Sequence, residues 1–327
     1  MEYKFIDSTP CCYIILIYLG LGTIISFQLT ALLRLAASRN AVLLISNSDL
    51  NSPYFEACVP GHIHHKRFEC LFQPISSCTE QSVEKVSKVI HTTAMANDHE
   101  RMVWTDWILL TAFVSRPSNF ALSLVEESLP GYNFMRKGIG VHIRQGRSQD
   151  SPDFVRRQSH LWTNSEVITF MTEVMQASNK NSFVLISDDA LLAASISDSF
   201  KSKETVHVLV PTMHHYPRLD STNDCMREVS LGCNQTMSRA DIARAVVVDL
   251  IAASRNEMFA VCFNSAYAWL LLGMAASYNG KIAGTENLFD LDQPNCSTSH
   301  GVANVRCQFT HAARLHGFSH PSQSVKR

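Results

Sequence analysis

The chain has 327 residues, 46% of them hydrophobic and 17% charged. Such a composition excludes an extended disordered protein, and the length suits about two domains of roughly 150 residues. Lys and Arg number 28 against 29 Asp and Glu, which excludes a generally basic nucleic-acid binder and leaves only local basic groups to hold a phosphate. Ten cysteines are too few for a small disulfide scaffold and enough for several bridges.

The front of the chain is its oddest part, because no charged residue occurs from Ser8 to Leu33. Two readings are open. About 20 apolar residues suffice to span a bilayer, so residues 11–33 can associate with a membrane. Against this, Gly20, Gly22, Thr23, Ser26, Gln28 and Thr30 interrupt the run. Lys and Arg counts on its flanks would also leave the C-terminal side weakly cytosolic, the wrong way round for an enzyme of the secretory lumen. The second reading is a βαβ unit. Cys12–Tyr18 is a buried strand, Gly20-Leu21-Gly22 a tight turn, Thr23 to Ser38 a helix, and Ala41–Ile45 the next strand. This second reading fits the rest of the chain better. A membrane anchor or signal peptide would then be missing or upstream of Met1.

Residues 47–80 read as a loop region with Cys58, Cys70 and Cys78 and with His62, His64 and His65. The Cys-x2-Cys spacing of structural zinc sites is absent, and surface histidines are the commoner outcome. Residues 79–126 read as mostly helical, ending near Arg116-Pro117. Buried strands follow at Ile139–Ile143, Phe183–Ile186, Val206–Val210 and Phe259–Phe263. Thr163-Asn-Ser-Glu166 is a capping box opening a helix toward Ala177. Ser238-Arg-Ala-Asp241 opens a helix to about Ser254, and Asn264 to Ser277 forms another. Strands alternating with helices predict α/β architecture with parallel sheets, divided into an N-terminal half (1–135), a C-terminal half (136–305) and a mobile tail (306–327).

Ligands of such sheets sit beyond the carboxyl ends of the strands, which directs attention to four places. His142 and Arg144 alternate onto one strand face. Arg144 suits a bidentate grip on a diphosphate or, equally, a pairing with a carboxylate. Ser187-Asp188-Asp189 ends the next strand, where either aspartate suits a helix cap. Asn264 and Ser265 open the last helix, as an anion site or as simple N-caps. Asp249 lies in an apolar helix, where a carboxylate requires a partner: a nearby Arg such as Arg244, a backbone N–H, or a ligand base.

Taken in order, these segments resemble a family. Gly138–Arg144 (GIGVHIR) with Gly146 is similar to the His-x-Arg strand of the α-1,6-, nodulation and protein O-fucosyltransferase group. Trp104–Pro117 resembles the aromatic helix ending in Arg-Pro that precedes that strand. Ser187-Asp-Asp189 resembles the family's Thr/Ser-Asp-Asp/Glu segment. Ala245–Ser254 with Asp249, followed by Asn264-Ser265, resembles the next nucleotide-binding stretch, and Asp290 to Cys296 a closing segment. Tyr18 to Gln28, with Gly20 and Gly22, and on to Ile45, looks like the family's first strand, glycine turn and helix.

The resemblance implies two Rossmann-like domains in a GT-B-like glycosyltransferase that uses GDP-fucose without a metal or cofactor. It implies that Arg144 holds the β-phosphate, that His142 and Asp249 sit at the guanine, and that Ser265 with Asn264 helps hold the phosphates. Gly20 and Gly22 would border the donor, and Asp150 or Asp153 would act as base. The implied partners are the nucleotide sugar and a glycan or glycoprotein acceptor, in the Golgi or endoplasmic reticulum. The sequons at Asn234 and Asn295, and the cysteine pairs Cys225 with Cys233 or Cys296 with Cys307, are compatible with that compartment. Three departures stand out. Gln145 replaces a second Arg, Arg147 and Ser148 replace an acidic and a basic residue, and Trp269 replaces an Arg four residues after the helix-opening Ser. A non-catalytic relative that binds nucleotide sugar or glycan is therefore the second reading. Asp290-Leu-Asp292 has the spacing of metal-dependent sugar transferases, which makes a third.

Overall fold

The structure is a computed structural model that describes residues 11–14, 21–38, 42–45, 67–76, 90–92, 104–130, 137–143, 163–187, 190–201, 203, 205–211, 239–263, 265–280 and 287–291. In the amino half, β1 (Cys11–Ile14) is followed by the helix α1 (Leu21–Ser38) and by β2 (Val42–Ile45). Strands β1 and β2 run parallel, with Cys12 opposite Leu43. The charge-free front thus forms a βαβ unit; residues 15–18 of the expected strand and Gly20 of the expected turn lie outside the described residues. Helix α1 is long and apolar enough to cross a membrane by length and composition, yet more than half of it is buried inside the protein. It begins at Leu21, so Gly22 lies within its first turn rather than in a tight turn. A π-helical stretch at Ile24–Leu29 passes into α-helix at Thr30, whose hydroxyl donates to the Ile25 carbonyl (3.0 Å).

Two expectations for the next stretch need correction. Inside 47–80 a short helix, α2 (Arg67–Leu71), replaces continuous loop. Inside 79–126 a strand, β3 (Ile90–Thr92), pairs parallel with β1 and completes a sheet of order β2-β1-β3. Two helices follow, α3 (Trp104–Val114) and α4 (Asn119–Ser128), the latter capped by the Ser118 hydroxyl, which accepts from the Ala121 N–H (3.1 Å). Arg116 closes α3. Its Nε donates to the Phe113 carbonyl (2.9 Å), its Nη2 to that of Pro74 (3.2 Å), and its guanidinium lies over the Phe113 ring.

The carboxyl half alternates strands and helices as expected: β4 (Ile139–Ile143), α5 (Asn164–Ser178), β5 (Ser182–Ser187), α6 (Ala190–Lys201), β6 (His207–Leu209), α7 (Arg239–Ser254), β7 (Met258–Val261) and α8 (Ala266–Asn279). The capping box of α5 is formed in full, the Glu166 carboxylate accepting from the Thr163 N–H (2.8 Å). A strand absent from the sequence expectations, β8 (Leu288–Asp290), adds to the far edge. All pairings are parallel and the order is β6-β5-β4-β7-β8.

Strand alternation divides the side chains of this sheet between two cores. Ile139, Val141, Ile143, Phe183 and Leu185 face α5 and α6. Val184, Ile186, Phe259 and Val261 face the opposite way, into a core shared with α7, α8, α3 and α1. This second core draws on both halves of the chain. Residues 245–254 of α7 and 268–276 of α8 are mostly apolar and buried around the whole helix circumference. Close approach requires glycine here. A Cβ on Gly140 would stand 2.7 Å from the Ala253 carbonyl of α7, and one on Gly273 of α8 would collide with Thr111 of α3.

Candidate functional site

The chain leaves β4 for β5 and β6 on one side, then returns through α7 to β7 and β8 on the other. Strand order therefore reverses between β4 and β7, and at such a point the loops beyond the two carboxyl ends part to leave a crevice. His142 is paired in register with Val261 at those ends, and the Cys262 N–H donates to the His142 carbonyl (3.2 Å). Alternation places the His142 side chain on the Gly140 face, toward α7 and α8. It is 6% exposed.

Four residues after the end of β7 the chain turns into α8. Ser265 is the N-cap, its backbone extended and its hydroxyl accepting from the Tyr267 N–H (3.3 Å). The first turn of α8 carries no acidic residue, so no side chain of that turn offsets the positive end of the helix dipole. Both sequence roles of Ser265 remain compatible with this geometry, since a capping hydroxyl accepts with its oxygen and keeps its own proton to donate.

Tyr267, which the sequence reading did not single out, links the parts. Its ring lies 5.1 Å from the His142 ring, and its hydroxyl donates to the Val246 carbonyl of α7 (3.0 Å). Asp249, 2% exposed, lies three residues along α7 from Val246, a spacing that puts the two positions on one side of the helix. The only sequence signal for Tyr267 was its place two residues after a helix-opening serine.

The amino half reaches the same corner. Gly22 abuts the backbone that opens α8, where a Cβ would lie 2.6 Å from the carbonyl carbon of Ala266 and from the Tyr267 nitrogen. One turn on, the Ser26 hydroxyl points at the Ala266 carbonyl (3.4 Å). Of the residues marked from the sequence, Gly22, His142 and Ser265 thus converge on the first turn of α8 and the strand end beside it, with Asp249 on the neighbouring helix. Gly20, Arg144, Asp150, Asp153, Asp188, Asp189 and Asn264 lie outside the described residues.

Trp269 occupies the position where the resemblance places an arginine. It is 1% exposed, and its indole N–H donates to the Phe263 carbonyl (2.8 Å) while its ring packs against Phe27 and Phe263. It is a core side chain. Among the described residues no group of three or more His, Cys, Asp or Glu is arranged to hold a metal ion. Cys70 is disulfide-bonded and so is no thiolate ligand.

Reversal of strand order beside a helix N-terminus puts the carboxyl half in the doubly wound α/β class, whose ligands enter at the carboxyl edge of the sheet. No protein-family model matches the sequence, and no curated protein matches it. Among solved structures, a mutant of Arabidopsis thaliana FUT1 in complex with GDP is similar at a TM-score of 0.45 and 12% identity, over 84% of this chain and 70% of the other. POFUT1 in complex with GDP gives 0.46 at 10% identity, over 87% and 98%. POFUT1 in complex with GDP-fucose gives 0.39 at 10%, over 88% and 74%. Likenesses this remote carry no argument.

Proposed function

We infer that the chain is an inverting, metal-independent glycosyltransferase that moves fucose from GDP-fucose to a glycan or glycoprotein acceptor. The observation that carries this reading is the meeting of His142, Ser265 and the N-terminus of α8, whose first turn has no acidic residue, at the reversal of strand order. The carboxyl half (136–305) holds the donor and the amino half (1–135) faces the acceptor. His142 and Asp249 contact the guanine, Asp249 accepting from its N–H donors. Ser265 and Asn264 donate to the phosphates, with Gly20 and Gly22 at the border. Arg144 follows β4 directly and grips the β-phosphate, stabilising charge as it builds on departing GDP. The acceptor hydroxyl oxygen forms a bond to the anomeric carbon as the bond from that carbon to the phosphate oxygen breaks. The hydroxyl proton passes to Asp150 or Asp153. The disulfide at Cys70 suits an oxidising lumen such as the Golgi or endoplasmic reticulum.

A specific observation favours a second reading, a relative that binds the nucleotide sugar without transferring it. Trp269 is locked into the core at the position where the resemblance expects a cation, and Gln145 stands where it expects another. Calorimetry with GDP and GDP-fucose, followed by an assay of GDP release with acceptor glycans, separates the two. Transfer that survives EDTA and falls in Arg144→Ala is the expected result. Binding without turnover establishes the second reading, and absence of GDP binding overturns both.

A further inference from the structure

We propose that Tyr267 is a positioning residue that sets the base-recognition end of the nucleotide site, an inference that rests on the donor reading above. Its ring packs on the buried His142 imidazole at 5.1 Å, with the two planes 34° apart. Its hydroxyl is fixed by the Val246 carbonyl at 3.0 Å, one turn from Asp249 on α7. Its own N–H is held by the Ser265 hydroxyl. One side chain therefore joins the end of β4, the first turn of α8 and the Asp249 segment of α7. These are the three elements that bring the imidazole, the hydroxyl and the carboxylate together.

The backbone around Tyr267 is fixed as well. Gly22 of α1 packs so near its nitrogen that no Cβ would fit between them, so the ring enters from a closely packed point. A ring pinned at both ends limits the rotamers open to the imidazole it covers. Tyr267 thereby selects the orientation in which His142 meets a planar purine base. The phosphates do not depend on it, because their contacts are assigned to the helix N-terminus and to Arg144.

The test titrates GDP and inorganic pyrophosphate into wild-type protein, Tyr267→Leu and Tyr267→Phe by calorimetry. The ring-current shift of the His142 imidazole C–H signals is followed by NMR in histidine-labelled protein. Tyr267→Leu is expected to weaken GDP roughly 3- to 10-fold, the range an aromatic contact supplies, to leave pyrophosphate unchanged, and to move the His142 signals. Tyr267→Phe keeps the ring and restores both the signals and most of the GDP affinity. Equal weakening of GDP and pyrophosphate marks a merely structural residue and overturns the inference, as does GDP binding that Tyr267→Leu leaves unchanged. Wild type that binds no GDP overturns the donor reading and this inference together.

Discussion

The two parallel sheets share a layout and differ in what stands at their centres. In each half the first strand lies inside the sheet, the next pairs on one side of it, and a later one pairs on the other: β1 between β2 and β3, β4 between β5 and β7. The helix after β1 is apolar and free of charge as far as Arg34, and it goes into the core. The end of β4 instead carries a buried imidazole, and β7 beside it leads into a helix capped by Ser265. Strand order reverses in both halves, and in the carboxyl half a buried imidazole and a serine cap stand beside the reversal. The amino half brings backbone, through Gly22, against the first turn of α8 beside that reversal.

Breaking the seam between the two halves has the largest expected effect. Trp269 packs with Phe27 of α1 and is fully enclosed, so Trp269→Ala is expected to cost about 3–5 kcal/mol of stability. Trp269→Arg is expected to cost more, because an unpaired cation would be buried as well. Denaturant midpoints of the two variants check the order. Trp269→Arg at least as stable as Trp269→Ala would show that the position lies open to the crevice.

A smaller break comes from the amino side. Gly22→Val forces the backbone of α1 away from Ala266 and Tyr267, for roughly 1–3 kcal/mol by overpacking. If the amino half forms part of the site wall, this variant also loses GDP affinity. Thermal unfolding and calorimetry together separate the two losses. The smallest effect lies on the far face of the carboxyl sheet, where Thr163→Ala removes the α5 capping box. It is expected to cost about 1 kcal/mol and to leave GDP affinity untouched.

Much of this comparison was legible in the sequence, for physical reasons that vary by element. Strands buried on both faces are continuous apolar runs, which is why β4, β5 and β7 were found. The βαβ unit at the front was found by the same signal, together with the polar residues that punctuate its apolar run. Thr163 with Glu166, and Ser265, were legible because caps are local chemistry. Strands β3 and β8 have three residues each and lie at sheet edges, too short to display a period; β6 is as short and is legible only because the apolar run Val206–Val210 extends beyond it. Helix α2, of five residues, has the same difficulty. A glycine at a helix start and one in a turn are alike in sequence; the reason for Gly22 is the approach of α8, a contact about 240 residues away along the chain, as for Ser26. Tyr267 was missed for the same cause. Its partners, His142 and Val246, come from other elements.

Hydrogen-exchange mass spectrometry with and without saturating GDP tests most directly that the reversal between β4 and β7 holds a nucleoside diphosphate. The account predicts new protection in peptides covering His142 and the first turn of α8 from Ser265, with none in β6 or the outer face of α5. Protection confined to the carboxyl ends of the β1–β3 sheet, or no protection anywhere, would contradict it.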